Sequence, residues 1–242
     1  MSLLTKAAYS SEVTQREQEN LQVAYRAACE GIVLLKNDGT LPLKTKKVAL
    51  YGAGASMTIK GGTGSGEVNE RHSVTILEGM TDRGFTITTR NWIADFERLY
   101  VEAEAAYKVE KKKRINILKP NSIMDMLMEN FRAPCGPVID DDYVAASDTD
   151  SCVYVVSRQA GEGGDRKAEK GDFFLSDEEL TAIRFCAEKY PRPVCNQVIA
   201  SFAQRIRSSA RQCINIYSLI KRMHGCGQRT ASFPCLNNYQ FV

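Results

Sequence analysis

One carboxylate in the sequence lies in a segment that can project it from the protein. Glu162 stands between two glycines in the segment Ser157–Arg166, shortly after a strongly apolar run. Flanking glycines let the backbone bend sharply, and loops held on a rigid sheet are common positions for catalytic groups. A carboxyl group there could serve as a general acid or base. From the residues alone, a solvated loop acid or an ion-pair partner for Arg158 or Arg166 is the favoured interpretation.

A glycine-rich loop is the second segment that could do chemistry. It runs through Lys60, Gly61, Gly62, Thr63, Gly64, Ser65 and Gly66. Just before it, Gly52-Ala53-Gly54 begins like a dinucleotide-binding fingerprint, but Met57 occupies the place of the third glycine. The loop also resembles the phosphate loop of tubulin-like GTPases, yet Glu67 follows at once and would repel phosphate. A tight surface loop is favoured, and nucleotide binding is the alternative.

Alternating strands and helices must position these two loops. The apolar runs Lys47–Tyr51 and Cys152–Val156 predict buried strands, each leading into one of the loops, and Phe85–Thr88 predicts another strand. Strands that alternate with helices indicate an α/β fold with a mainly parallel sheet flanked by helices. Ligands of such sheets meet the loops at the carboxyl ends of the strands.

Helix signals fall between the predicted strands. Capping boxes place helix starts at Thr14 and Ser176, since a glutamate follows each residue three positions later. A short helix is predicted around Thr75–Met80, and a longer one over residues 91–118, before Pro120. Apolar or small residues at helical spacing over Leu21–Gly31 predict a buried face on the first helix.

Composition narrows the classes of function. The chain has 242 residues, a formal net charge of +3, 43% hydrophobic and 25% charged residues, which is ordinary for a globular protein and gives no reason to expect nucleic acid. The eight cysteines form no CxxC pair, so we expect free buried thiols and neither a metal nor a cofactor. Neither a signal-like segment nor a long apolar stretch is present, so we expect a cytoplasmic location and no membrane partner.

The acidic residues are unevenly distributed along the chain. All 29 lie at or before Glu188, and residues 189–242 contain none. A basic arm for nucleic acid could have such a composition, but the basic residues are scattered and no aromatic pattern interleaves them. We therefore expect a domain over residues 1–190 and an acid-free tail of doubtful origin over 191–242, which a shifted reading frame explains.

Three blocks in a fixed order resemble a known family. Gly31–Leu43 is similar to the opening signature of the second domain of family 3 β-glucosidases, and Lys60–Asn69 to the loop that follows it in that family. Ser157–Arg166 with Lys170–Ser176 resembles the segment that bears the family's general acid/base. The resemblance covers roughly residues 20–190 and implies an (α/β)6-sandwich-like domain, incomplete at its C-terminal end.

The resemblance implies a role for each of the two loops. Glu162 takes the position of the acid/base in retaining hydrolysis of terminal β-glucosyl or related residues. The substrate-binding or active-site loop residues it implies are Lys60, Gly61, Gly62, Thr63, Gly64, Ser65, Arg158, Asp165 and Arg166. The expected substrate is a β-glucoside or oligosaccharide.

The nucleophile of the family lies outside this sequence. The resemblance implies an aspartate in a Ser-Asp-Trp context on a separate TIM-like barrel, and the sequence contains no such tripeptide. The chain then corresponds to the front of an enzyme with reversed domain order, and we expect the isolated chain to be inactive. The alternative is an α/β module that binds carbohydrate or a partner without chemistry.

Overall fold

The computed structural model describes residues 11–31, 33–34, 41–59, 72–114, 131–159, 167–199 and 216–217. The helices of these ranges are α1 (Gln15–Gly31), α2 (Ile76–Asp82), α3 (Arg90–Lys113), α4 (Asp141–Ser147) and α5 (Asp177–Lys189). The strands are β1 (Val33–Leu34), β2 (Lys47–Tyr51), β3 (Thr86–Ile87), β4 (Ser151–Arg158), β5 (Arg192–Ile199) and β6 (Ile216–Tyr217).

The strands form one mainly parallel sheet in the order β1-β6-β5-β4-β2-β3. Only β1, which is antiparallel to β6, departs from the parallel arrangement among these strands. After β2 the chain adds β3 on one side and β4 on the other. The direction in which strands are added to the sheet therefore reverses between β2 and β4. This arrangement, with helices flanking the sheet, confirms the predicted α/β class.

The two central strands are buried along most of their length. Residues Val48–Tyr51 of β2 and Ser151–Val156 of β4 are all buried. Because successive side chains point to opposite faces of a strand, burial of consecutive residues means that both faces are covered. This explains why continuous apolar runs, rather than alternation, predicted these strands correctly.

Aromatic packing joins α3 to β2. The ring of Trp92 stacks on Phe96 with centroids 5.8 Å apart and meets the ring of Tyr51 edge-on at 5.4 Å. The indole nitrogen of Trp92 donates to the carbonyl oxygen of Pro137 at 3.1 Å, so its polar atom is satisfied. The first turns of α3, which hold the buried Trp92, Ile93 and Phe96, therefore fix the helix against the sheet.

A chain of buried hydroxyl groups connects β2 with two helices. The Tyr51 and Tyr190 hydroxyls lie 2.9 Å apart, and the Tyr190 hydroxyl donates to Ser147 Oγ at 2.9 Å. Ser147 Oγ donates in turn to the carbonyl oxygen of Val144 at 2.7 Å. Burial raises the pKa of both phenols, so they stay protonated and the network is uncharged.

The capping boxes predicted at Thr14 and Ser176 are both present. Glu17 N donates to Thr14 Oγ1 at 3.2 Å, and Thr14 N donates back to the Glu17 carboxylate at 3.2 Å. Ser176 and Glu179 exchange the same pair of bonds at the start of α5. A third capping box, between Thr75 and Glu78, begins α2. Side-chain acceptors of this kind satisfy backbone donors that the first helical turn leaves unpaired.

Two expectations about helices need correction or completion. The predicted buried face of α1 is present only in part: no residue of the helix is fully buried, Leu21, Ala24 and Ala28 are partly buried, and Ala27 and Gly31 are exposed. The periodicity identified the apolar stripe, but no described element covers it completely. The long helix predicted over 91–118 is present as α3 through Lys113, and residues 115–118 lie outside the described ranges.

The sheet continues beyond residue 190, where the sequence analysis placed the end of the domain. β5 pairs in parallel with β4 along its whole length, from Arg192 beside Ser151 to Ile199 beside Arg158. β6 then pairs with β5. Two stretches of the acid-free tail are therefore hydrogen-bonded into the sheet. The predicted origin of the tail in a shifted reading frame stays a prediction.

The findings on cysteines, metal sites and membrane spans apply to the described residues. Cys135, Cys152 and Cys186 are free thiols, as predicted, whereas Cys29 is disulfide-bonded, so the expectation of free thiols is wrong there. In the described ranges, no three or more His, Cys, Asp or Glu side chains are arranged to hold a metal ion. None of the helices seen there has both the length and the apolar character that a membrane span requires.

Replacement of Tyr190 by phenylalanine tests the buried hydroxyl network. Tyr190→Phe removes the partner of the Tyr51 hydroxyl in a buried site, so we expect the free energy of unfolding to fall by about 1–3 kcal/mol. Tyr143→Phe is the control, because its hydroxyl bonds to Asp95 at 3.0 Å and the Asp95 side chain is 41% exposed and can turn to water. Chemical denaturation measures the free energy of unfolding of both variants. Equal losses of that free energy would contradict a stabilising role for the network.

Candidate functional site

The two loops singled out in the sequence leave neighbouring strands at the same edge of the sheet. β2 ends at Tyr51 and β4 at Arg158, and the two strands are parallel, with Tyr51 beside Tyr154. Chain order reverses between them, and in open α/β sheets ligands bind in the crevice at such a point, outside the carboxyl ends of the strands. We therefore take this edge as the candidate site.

Glycines bring the turn after β2 into direct contact with β4. Gly52 has φ of +90°, and a Cβ there would lie 2.3 Å from the carbonyl oxygen of Val155. Gly54 N donates to that same oxygen at 3.1 Å, and a Cβ on Gly54 would lie 2.6 Å from the Val155 side chain. Only residues without a side chain allow the backbones to approach so closely. The turn after β2, which leads into the glycine-rich loop, is thus held against β4, the strand that leads to Glu162.

Thr58 connects the two sides of the glycine-rich loop. Its hydroxyl donates to the carbonyl oxygen of Gly54 at 2.6 Å and accepts from Ile76 N, at the first turn of α2, at 2.9 Å. Leu77 N also donates to the carbonyl oxygen of Ala55 at 2.9 Å. The chain therefore leaves β2 and returns to α2 at adjacent points, with the segment 60–71 between them.

Arg158, the last residue of β4, is buried and bonded on all sides of its guanidinium group. Nη1 donates to Glu179 Oε1 at 2.6 Å and to the carbonyl oxygen of Ser157 at 2.8 Å. Nη2 forms a second, shorter contact with Glu179 Oε2, and Nε donates to the carbonyl oxygen of Asp172 at 2.8 Å. The bidentate pair joins the end of β4 to the first turn of α5.

The ion pair is strongly desolvated. The side chains of Arg158 and Glu179 are 9% and 10% exposed. Burial alone would lower the pKa of the guanidinium, but the hydrogen bonds and negative charge of Glu179 outweigh it and raise that pKa, so Arg158 stays charged. Removal of one partner from such a pair typically costs about 3–5 kcal/mol because it leaves a buried charge unpaired.

Asp172 organises the return segment, residues 167–175, by which the chain comes back from the second loop to α5. Its carboxylate Oδ2 accepts from Lys167 N at 3.2 Å and lies 3.4 Å from Arg132 Nη2. Backbone bonds close the turn around it, including Phe173 N to the carbonyl oxygen of Lys167 at 3.1 Å and Gly171 N to that of Phe174 at 2.9 Å. The return segment is therefore a compact turn with its own internal structure.

Most of the predicted site residues lie outside the described part of the chain. These are Glu162, Lys60, Gly61, Gly62, Thr63, Gly64, Ser65, Asp165 and Arg166. The structure describes the residues next to their segments, which are Ile59 and His72 for one loop and Gln159 and Lys167 for the other. Among the predicted residues, Arg158 is described, and it bonds to Glu179. Its proposed contact with substrate stays a prediction.

Several residues that hold the two loops were missed in the sequence. Glu179 was identified only as a capping residue, although its Oε2 accepts from Ser176 N at 2.8 Å and also contacts Arg158. Thr58 and Asp172 were not singled out at all. A buried charge is rarely left without a partner, so an arginine directly after an apolar strand was the available signal. Cys135, 3.5 Å from Ser176 Oγ, is a poor nucleophile because burial raises the pKa of its thiol.

Comparison with known proteins identifies relatives for most of the chain. The sequence model of the glycosyl hydrolase family 3 C-terminal domain matches residues 32–201. β-Glucosidase A of Butyrivibrio fibrisolvens is 27% identical over 207 residues, which are 75% of this chain and 22% of that protein. The Neosartorya fischeri protein named "probable exo-1,4-beta-xylosidase" is 28% identical over 204 residues, covering 73% of this chain and 26% of that protein.

Solved structures give the same result. β-Glucosidase 3B from Thermotoga neapolitana, in complex with α-D-glucose, superimposes with a TM-score of 0.61 at 30% identity, over 94% of this chain and 30% of that one. A β-glucosidase from Paenibacillus barengoltzii shares the fold, with a TM-score of 0.68 at 20% identity over 92% of this chain and 23% of that one. The chain thus spans between 22% and 30% of the length of these relatives.

Alanine in place of Gly52 tests the close approach of the two loops. Gly84 is a matched control, since it also has positive φ (+77°) but nothing lies within 4 Å of a Cβ there. We expect Gly84→Ala to cost about 1–2 kcal/mol for backbone strain alone. Gly52→Ala adds the clash with the Val155 carbonyl, a further ~1–3 kcal/mol or more. Equal losses of unfolding free energy in the two variants would contradict the close contact.

Proposed function

The chain belongs to glycosyl hydrolase family 3, and from that premise we propose that it is the general acid/base domain of a retaining β-glycosidase, with Glu162 as the acid/base. The family assignment rests on the match over residues 32–201. The position of Glu162 is supported by the local sequence, where the carboxylate follows β4 by a short loop and stands between glycines.

One observation carries the proposal more than any other. The strands that lead into the glycine-rich loop and the Glu162 loop are parallel neighbours, and chain order reverses between them. Two loops that leave adjacent strands at one edge can contribute to one binding crevice. Had β2 and β4 been separated by another strand, the two loops would have led to different parts of the sheet edge.

The chemistry divides between a carboxyl group of this chain and one of a partner domain. Before the first step Glu162 carries a proton. In that step it delivers the proton to the glycosidic oxygen, and the bond to the leaving group breaks. At the same time a carboxylate on the opposite side of the sugar attacks the anomeric carbon. In the second step the Glu162 carboxylate removes a proton from water, which displaces the enzyme carboxylate and restores the starting configuration. The two carboxyl groups must lie about 5–5.5 Å apart.

The attacking carboxylate belongs, in this proposal, to a separate barrel domain that covers the carboxyl edge of the sheet. The sequence contains no Ser-Asp-Trp to supply it. Phe173 and Phe174 lie in the return segment of the second loop with ring centroids 5.2 Å apart, and Phe174 is 46% exposed. Burial of this aromatic pair against a partner is favourable. A chain that lacks the attacking carboxylate is expected to be inactive alone.

The substrate class follows from the relatives. A terminal β-D-glucosyl residue is the first candidate, because the relatives include β-glucosidases from Butyrivibrio fibrisolvens and Ruminococcus albus. A β-xylosyl residue is the second, since the relative from Neosartorya fischeri is named as a xylosidase. The alternative is a module that only binds carbohydrate or a partner chain. This alternative is favoured if the chain binds sugar but its fusion to a barrel domain does not hydrolyse glycosides.

Hydrolysis by the intact chain joined to the barrel domain of a family 3 β-glucosidase tests the proposal. The fusion should hydrolyse both phenyl and 2,4-dinitrophenyl β-glucosides. Glu162→Gln should lower kcat/KM on the phenyl glucoside by about 10²–10⁴-fold, because its leaving group requires protonation. The same variant should scarcely change kcat/KM on the dinitrophenyl glucoside, whose leaving group departs without a proton.

Glu169→Gln is the matched control for this experiment. Glu169 lies in the return segment of the same loop, with its carboxylate 3.4 Å from Arg132. Glu169→Gln should not lower kcat/KM on the phenyl glucoside selectively, as Glu162→Gln should. A fusion that is folded but inert would exclude this chain as an acid/base domain, and a Glu162→Gln variant with normal rates on both substrates would show that another group is the acid.

A further inference from the structure

We propose that the buried Arg158–Glu179 ion pair is a positioning device for Glu162, which fixes both ends of the segment that carries this residue. The inference rests on the proposed function, since it concerns how the acid/base is held rather than whether it is one. The segment 160–166 is bounded by Gln159 and Lys167, and both boundary residues are described.

The first boundary is held by the strand and by the arginine itself. Arg158 is the last residue of β4 and pairs with Ile199 of β5 in the sheet. Its Nη1 donates to the carbonyl oxygen of Ser157, the preceding residue, at 2.8 Å. Its side chain therefore turns back over its own strand. The backbone at residue 158 has little freedom because the ladder and the guanidinium both restrain it.

The second boundary is reached through Asp172 in two hydrogen bonds. Arg158 Nε donates to the carbonyl oxygen of Asp172 at 2.8 Å. The carboxylate of Asp172 accepts from Lys167 N, the first described residue after the segment, at 3.2 Å. One guanidinium thus links Arg158, the residue before Gln159, through Asp172 to Lys167, the residue after the segment. A change in the position of Arg158 is transmitted to both ends at once.

Glu179 fixes the guanidinium in this position. It lies in the first turn of α5, where its Oε2 also accepts from Ser176 N at 2.8 Å. The carboxylate is therefore bound to a helix terminus as well as to the arginine. α5 packs against β4 and β5, so the anchor is part of the rigid body of the domain. Sites supported by such elements hold their geometry better than sites on loops alone.

Arginine is required because three acceptors in different directions are engaged. The Nε, Nη1 and Nη2 groups contact the Asp172 carbonyl, the Ser157 carbonyl and both oxygens of Glu179. The planar fork of arginine presents five donors in a fixed arrangement, whereas the ammonium of lysine is a single point charge. Arg158→Lys can keep the charge pair with Glu179 but cannot also keep the connection to Asp172.

The sequence of the segment explains why its ends need this restraint. Glycines stand at 161, 163 and 164, around Glu162, and glycine restricts the backbone least of all residues. A general acid must come within about 2.6–3.2 Å of the atom it protonates. A displacement of 1 Å can cost about 10²-fold in rate. With Arg158 and Lys167 held in place, the residues between them have fewer ways to place the carboxyl group.

The test uses the intact chain joined to a family 3 barrel and compares leaving groups. Arg158→Met with Glu179→Gln removes both charges together, so no buried charge is left alone, and the glutamine keeps an acceptor for Ser176 N. We expect kcat/KM on phenyl β-glucoside to fall about 10–100-fold, because proton delivery depends on the position of Glu162. On 2,4-dinitrophenyl β-glucoside, which needs no proton, we expect a fall of less than about 3-fold. Arg158→Lys should show the same pattern with smaller amplitude.

Ser147→Ala serves as the control for general loss of stability. Ser147 is buried and bonded to Tyr190, but it lies before the amino end of β4, at the opposite edge of the sheet. Its replacement should lower the melting temperature and leave the ratio of the two kcat/KM values unchanged. Hydrogen exchange of peptides covering residues 159–175 should rise in the Arg158/Glu179 double variant and not in the control.

The outcomes separate this inference from the proposed function. If Glu162→Gln shows no dependence on the leaving group, or the fusion is inert, the proposed function fails and the inference fails with it. If Glu162→Gln shows that dependence but the double variant loses both activities equally, the ion pair is only structural and the inference alone fails. If the double variant selectively loses the phenyl glucoside activity, the positioning role stands.

Discussion

The candidate site depends on the parallel pairing of β2 with β4. The two strands are buried on both faces, so a shift of one residue would exchange side chains of different size between the two packed faces and disrupt both. Their register, Ala49 beside Cys152 and Tyr51 beside Tyr154, fixes which backbone atoms meet where the strands end. The contact of Gly52 and Gly54 with Val155 is a consequence of that register. A different pairing would bring different residues to this edge of the sheet.

Each of the two loops has its ends fixed by one side chain. Thr58 joins the departing and returning sides of the glycine-rich loop through its hydroxyl group. Arg158 does the same for the Glu162 loop through a charged network that reaches Glu179 and Asp172. The hydrogen bonds of the Thr58 hydroxyl involve no charge and little desolvation, whereas the buried ion pair carries a desolvation cost of several kcal/mol per ion. Its presence fits the stricter positioning that the proposed acid/base in the second loop would need.

The sequence predicted the parts of the fold that local signals determine. β2 was placed at its observed bounds because its buried residues form a continuous apolar run, and the Ser176 and Thr14 helix starts followed from capping pairs. What failed depends on distant partners. The stripe on α1 is apolar, but its periodicity does not say whether another element covers it. β5 begins Arg-Pro and contains Asn196 and Gln197, so it did not read as a buried strand, yet its pairing with β4 places it in the sheet. The link between Arg158 and Glu179, 21 residues apart, has no local signature.

Azide rescue of the Glu162→Ala variant would show whether Glu162 is the acid/base. In the fusion with a barrel domain, loss of the acid/base leaves the covalent sugar–enzyme intermediate without a base to activate water. Azide is already an anion, and the missing carboxylate leaves room for it to attack the anomeric carbon and displace the enzyme carboxylate. We expect azide to accelerate turnover of 2,4-dinitrophenyl β-glucoside, with β-glucosyl azide as the product. Turnover that azide does not change, with glucose as the only product, would contradict Glu162 as the acid/base.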